Sequence, residues 1–289
     1  MKGYLCLLIL TIAACSLPLS EFFTLAHSEP QKKVALFFDD GWKDQYDEAF
    51  PVLKNFRFKA TFAVVTDYIG LDRGTPKARM NQTELWELQN SGMEIASHTK
   101  THPHMLNLTH ERLIDEIVNS KNALTQLGFN VKTFVYPHGE WNQTVIGYVK
   151  EAGYTCARTI KPEAYTIENQ DANTCYHIGS WPITNQTLEE FKKILEHANK
   201  STVIVLTYHH IADESPKETS TPIKNFHEQM KYLKENSFEV VLLSELLTSN
   251  GNPSWSLPQL AVTAVLVLAT ACGIIAFQKW KRKRVQNAF

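Results

Sequence analysis

The chain has 289 residues, 44% of them hydrophobic, which is enough to bury one barrel-sized domain after its two ends are set aside. Its 29 Lys and Arg nearly balance 30 Asp and Glu. Five of the cations, Lys279, Lys281, Arg282, Lys283 and Arg284, crowd the last stretch, so the remainder carries roughly −6, which argues against a nucleic-acid partner.

Residues 1–28 read as a secretory signal, with a charged start, a short apolar run and the small-x-small site Ala26-His27-Ser28. Ile12-Ala13-Ala14-Cys15 also matches a lipoprotein cleavage pattern, and the sequence does not choose between processing there and at Ser28. A domain over 29–247 and a polar linker over 248–259 follow, then an uncharged apolar run over 260–277 that reads as a transmembrane helix. The basic tail 278–289 marks the cytoplasmic side, so the expected localisation is a single-pass cell-membrane protein with its domain outside. Five Asn-x-Ser/Thr sequons, at Asn81, Asn107, Asn142, Asn185 and Asn199, suggest a glycosylated surface. Outside the two apolar ends only Cys156 and Cys175 remain, and one disulfide and two buried thiols are both compatible with the sequence.

Within the domain, 34–38 is a fully apolar strand that runs into Asp39-Asp40-Gly41. A helix over 46–56 and a strand over 59–65 come next, then a helix over 81–90 and a strand over 93–97. The spacing predicts a long helix over 109–127, a strand over 131–136, a helix over 142–152 and a strand over 154–159. Strands over 176–183, 202–207 and 238–243, with helices over 187–199 and 226–234, complete the series. Such alternation demands a parallel sheet, and about seven or eight units suggest an α/β barrel.

In such a sheet the functional groups gather at the C-terminal strand ends, and reactive residues fall there strand after strand. Two adjacent carboxylates at the end of a buried strand repel each other unless a cation or a proton holds them, so one of Asp39 and Asp40 reads as a metal ligand and the other as a base. His98 and His102 follow the strand 93–97, and imidazoles four apart can share a cation if their loop starts a helical turn. Together with Asp40 they leave coordination positions open, the pattern of a catalytic metal site.

With these motifs the sequence resembles the polysaccharide deacetylase family, the NodB-homology domain of carbohydrate esterases, over residues 33–244. Phe37-Phe38-Asp39-Asp40-Gly41 is similar to that family's Thr/Ser-Phe-Asp-Asp-Gly, and His98-Thr99-Lys100-Thr101-His102 matches its His-Ser/Thr-x-x-His. The resemblance implies a distorted (β/α) barrel of about seven βα units, Asp39 as general base, and Asp40, His98 and His102 on a divalent metal, usually zinc, with Co2+, Ni2+ or Mn2+ as alternatives.

The third family motif, Arg-x-Pro-Tyr/Phe, is altered to Val135-Tyr136-Pro137-His138-Gly139. The backbone N–H of His138 can still serve an oxyanion, but Val135 replaces the arginine that would orient the base, and Arg158 is the nearest substitute. The family's Leu-x-His corresponds to Leu206-Thr207-Tyr208-His209-His210, with one extra residue; His209 is expected as the general acid ahead of His210, and Leu206 to line an acetyl pocket. Tyr136 joins the substrate-binding set through the same third motif, and Trp181 offers an apolar wall, while the acid that would tune His209 is unassigned. The implied function is removal of acetyl groups from N-acetylated amino sugars of a polysaccharide. The alternatives are a hydrolase of another C–N bond in a small molecule and a non-catalytic glycan-binding protein on this fold.

Overall fold

The computed structural model describes residues 31–72, 78–167, 173–213 and 218–249. The chain divides into two units, Met1–Glu245 and Leu246–Phe289, and of the second only 246–249 are described. The signal, the apolar run 260–277 and the basic tail lie outside the described residues, among which no helix is long and apolar enough to cross a membrane.

The first unit is a curled, mostly parallel α/β sheet. Its central strand, β1 (Lys33–Phe38), pairs in parallel with β2 (Thr61–Val64) on one side and β8 (Thr202–Tyr208) on the other. The order continues from β2 through β3 (Glu94–Ser97) and β4 (Thr133–Val135) to β5 (Cys156–Arg158). On the far side β7 (Trp181–Pro182) pairs with β8, and Ile178 makes an isolated parallel bridge to Arg158, so one thin segment spans the seam between β5 and β8. The expected barrel is therefore distorted at this seam, where the strand predicted over 176–183 shrinks, after a 3-10 turn at Thr174–Tyr176, to the single bridge of Ile178 and the two paired residues of β7. A short antiparallel strand, β6 (Tyr165–Thr166), also borders β8, while β9 (His210–Ile211) and β10 (Ser220–Thr221) form a separate parallel pair.

From Val34 onward β1 is apolar and buried, because both its faces are covered. Phe38 faces outward, stacked on Phe62 and Tyr208 at 4.8 and 5.3 Å and edge-on to Phe226. Alternation then turns Phe37 and Asp39 to the barrel interior, where the Arg158 guanidinium lies 5.4 Å from the Phe37 ring. The covering helices are α1 (Phe50–Phe56), α2 (Gln82–Asn90), α3 (His110–Ile114), α4 (Ser120–Gln126), α5 (Gln143–Glu151), α6 (Leu188–Leu195) and α7 (Ile223–Glu235). Asn81, Thr109, Asn142 and Thr187 cap α2, α3, α5 and α6 by accepting backbone N–H bonds from the third helical residue. The last predicted strand reduces to β11 (Glu239–Val240), because the chain turns into α8 (Leu243–Ser249), which enters the segment read as linker.

Two predicted helices are not uniformly α-helical. The stretch 46–56 begins with a π-helical turn, Gln45–Ala49, and 109–127 is interrupted by another, Asp115–Asn119. Each turn carries a fully buried polar side chain, Gln45 or Glu116, and π turns recur at functional sites because the extra residue re-aims a side chain. Cys156 and Cys175 are not joined in a disulfide, and burial pushes the Cys156 thiol up to about 12.

Candidate active site

The site is built at the C-terminal end of β1. The Asp39 N–H still donates to Tyr208 O of β8, at 2.9 Å, but Asp40 and Gly41 take left-handed φ values of 73° and 68°. A Cβ at Gly41 would stand 3.1 Å from Val64 Cγ1, so this turn needs glycine on both counts. The reversal sends the two adjacent carboxylates to different partners.

Asp40 Oδ1 lies 3.6 Å from His98 Nε2 and 3.5 Å from His102 Nε2. The ligand atoms of these three residues all fall within 4.8 Å of one another. His98 Nδ1 donates to Val135 O at 2.8 Å, which leaves the Nε2 lone pair facing Asp40. Trp42 Nε1 donates to Asp40 Oδ2 at 3.1 Å and Arg79 Nη1 to Asp40 O at 2.6 Å, so Oδ1 is the oxygen left toward the imidazoles. Burial lowers both imidazoles, His102 to about 4 with the help of neighbouring His98, so both are neutral and offer lone pairs at pH 7. The donor set fits a divalent cation: ligands of a tetrahedral ion with bonds of about 2.0–2.1 Å stand about 3.3 Å apart.

Asp39, 2% exposed, takes the other side. Arg158 Nη2 donates to Asp39 Oδ1 at 2.5 Å and also to Oδ2, while Arg158 Nη1 donates to Ser180 Oγ at 3.3 Å. Burial alone would raise the Asp39 carboxyl, but Arg158, with His98 and His209, outweighs it and holds the group below the usual carboxylate range. Asp40 is likewise lowered against its burial, by His98, His209, His102 and Arg79. Arg158 stands in register with Val135 on the neighbouring strand, so a guanidinium one strand away occupies the level at which the resemblance lacks its arginine. His209 Nε2 lies 3.9 Å from Asp39 Oδ2, with its side chain about one quarter exposed. His210 is directed elsewhere: its Nδ1 meets Asp44 Oδ2 at 2.6 Å and its ring packs 4.2 Å from Trp42. Gln45 fastens the ends of β1 and β8 together, its Nε2 donating to Asp39 O at 2.5 Å and to His209 O at 2.7 Å.

The loop between His98 and His102 is not the helical turn expected for two ligands four apart. Thr99 and His102 have φ values of 66° and 61°, and His102 N–H donates to Thr99 Oγ1 at 3.0 Å. The loop's remaining polar groups are met from two sides. The N–H of Thr66 and of Asp67 and the Tyr68 hydroxyl donate to the carbonyls of Thr99, Lys100 and Thr101. Glu116 accepts the N–H of Lys100 and of Thr101 on Oε2, at 2.9 and 2.8 Å, and on Oε1 the Thr101 hydroxyl at 2.6 Å and Arg112 Nη2 at 2.9 Å. Glu116 bears one legible sign in the sequence: it falls on the buried helix face with Leu113, Ile117 and Leu124.

His138, exposed at φ 55°, stacks on His104 at 4.0 Å and meets His102 edge-on at 4.6 Å, which brings the altered third motif beside the cluster. Three of the expected substrate-binding residues do not join it. Tyr136 is 1% exposed and its hydroxyl donates to Tyr176 O; Leu206 is wholly buried within β8; the Trp181 ring stacks on His197 at 5.7 Å. Their side chains complete the apolar packing instead of lining the site.

Residues 26–157 match the profile of the polysaccharide deacetylase family, and this segment contains both motifs and all three candidate ligands. These residues belong to the polysaccharide deacetylase family. The chain is 30% identical over 135 residues to YxkH of Bacillus subtilis (strain 168), a protein named for the polysaccharide deacetylases, covering 46% of this chain and 47% of that one. It is 26% identical over 174 residues to the poly-beta-1,6-N-acetyl-D-glucosamine N-deacetylase of Staphylococcus aureus (strain MSSA476), covering 57% and 59%. The chain thus spans about half the length of these relatives. The deacetylase fold is also that of the Xyl-CE4 domain of a multidomain xylanase from the hindgut metagenome of Trinervitermes trinervoides, at a TM-score of 0.52 and 22% identity over 77% of this chain and 93% of that domain.

Proposed function

We propose that this protein is a metal-dependent hydrolase that removes acetyl groups from N-acetylated amino sugars of a polysaccharide. The observation that carries the reading is the division of labour at Asp39-Asp40: one carboxylate faces two neutral imidazoles, and its neighbour is held ionised by a buried guanidinium within reach of a third imidazole.

Asp40, His98 and His102 would hold the divalent cation, zinc by resemblance, which when bound polarises the acetamide carbonyl and lowers the pKa of water. Asp39, kept ionised by Arg158, acts as general base and takes the proton of the attacking water. His209, 3.9 Å from the same carboxylate, is placed to protonate the leaving amine. The His138 backbone N–H, on the left-handed turn beside His102, is the candidate donor to the developing oxyanion. An N-acetylglucosamine polymer is the first substrate to try, on the strength of the Staphylococcus aureus relative. The external, membrane-anchored and glycosylated placement is proposed from the sequence, and the asparagines of all five sequons are exposed, as glycosylation requires. Acetate release from N-acetylglucosamine oligomers tests the activity; a pure, folded, zinc-loaded protein that releases none from oligomers, chitin or peptidoglycan would overturn it.

A further inference from the structure

The two imidazoles proposed as metal ligands come from one five-residue loop, 98–102, whose backbone is neither helix nor strand and in which Thr99 and His102 sit in the left-handed region. Such a loop has no internal ladder to hold its shape, so its geometry depends on outside partners. Its carbonyls are answered by residues 66–68, which belong to the turn after β2. Its N–H groups at 100 and 101 are answered by one side chain, Glu116.

We infer that Glu116 is a positioning residue that fixes His102 against Asp40 and so sets the affinity of the metal site. The inference rests on the reading of Asp40, His98 and His102 as metal ligands. Four donors converge on this carboxylate, at 2.6–2.9 Å, and it is wholly buried. Both oxygens are used twice, one on backbone N–H groups and one on Thr101 and Arg112, so the carboxylate defines where residues 100 and 101 lie and therefore where the chain re-enters at His102. The π-helical turn Asp115–Asn119 fits this role, because it inserts a residue into the helix at Glu116 and breaks the α-helical ladder there. Asp115 adds a clasp on the same loop, accepting Lys100 Nζ at 3.0 Å. A carboxamide cannot replace the carboxylate: one of its two heteroatoms is a donor and would face two donors.

The test is the zinc dissociation constant, measured by competition with a chromophoric chelator, for wild type, Glu116→Gln and Thr101→Val, with circular dichroism and the Tm of the metal-free protein recorded alongside. Glu116→Gln should weaken zinc about 10- to 100-fold, the usual effect of losing a group that orients a ligand, while still reaching one zinc per chain at saturation. Thr101→Val removes one of the four donors and nothing from the core, and should weaken zinc about threefold or more in the same direction; it carries the test if Glu116→Gln does not fold. A purely architectural Glu116 would lower the Tm and leave the zinc affinity of the folded protein unchanged. Affinities within twofold of wild type in the folded variants overturn the inference, and a wild type that binds no zinc overturns the metal reading together with it. Neither outcome depends on which substrate the protein deacetylates.

Discussion

Replacing Arg158 by methionine probes the feature on which the proposed base depends. Arg158 is wholly buried and Asp39 nearly so, with Nη2 2.5 Å from Oδ1, so the substitution strands a carboxylate in the barrel interior. Two unit charges about 4 Å apart attract by about 4 kcal/mol at an effective dielectric of about 20. Breaking one side of a buried pair costs about 3–5 kcal/mol for the same reason, equivalent to a Tm fall of about 6–20 °C in a domain of this size. The pH dependence follows from the sign of the shift. In wild type the Asp39 carboxyl is depressed, so its contribution to stability is present above the unfolded value near 3.9 and is lost as pH falls through the folded value. Without the guanidinium, burial dominates and raises the carboxyl above its unfolded value; protonation then favours the folded state, and the deficit of the variant should narrow as pH falls from 7 toward 4. Urea denaturation of metal-free protein across that range measures both effects, and the double variant Arg158→Met/Asp39→Asn should recover most of the loss at pH 7. A deficit under about 1 kcal/mol at pH 7 that does not change with pH would show that Arg158 does not hold Asp39 ionised.

Alanine at Asp40, His98 or His102 should each leave less than one bound zinc per chain by elemental analysis; full occupancy in all three would disprove the ligand set. Asp39→Asn should retain zinc and lower kcat about a hundredfold to ten-thousandfold, the usual worth of a general base, and unchanged kcat would assign the base elsewhere. Of the paired histidines, His209→Ala should reduce kcat, whereas His210→Ala should chiefly lower the Tm because its ring is packed between Asp44 and Trp42; the reverse pattern would exchange their roles. Protease added to intact cells should digest the domain, and a domain that is protected until the membrane is opened would contradict the external placement.

What the sequence made legible were features carried by neighbouring residues. The acidic end of β1 and the two histidines after β3 are contiguous motifs, and alternation along β1 already turns Asp39 inward with Phe37. Features that depend on register or side-chain direction were less accessible. That Arg158 stands beside Val135 is a property of how β4 and β5 align, which no spacing encodes. Tyr136, Trp181 and Leu206 lie in or next to motif-bearing stretches, yet each points into packing, since direction along a short strand is decided by neighbours. The helical turn expected between His98 and His102 gave way to a left-handed loop because Glu116, on a distant helix, supplies better partners for its N–H groups than a helix of four residues could. Gln45 was hidden because it sits at a π-helical turn, which a 3.6-residue period does not describe, and Glu116, though it falls on the buried helix face, shows nothing in the sequence of the loop it meets.

The most direct test of the central claim is acetate release from N-acetylglucosamine oligomers by the purified domain, followed through chelation and zinc restoration. The expected result is release by the untreated protein, loss with chelator, recovery on adding zinc, and only background release from Asp39→Asn at full zinc occupancy. Release that persists in fully metal-free protein, or that is undiminished in Asp39→Asn, would contradict it.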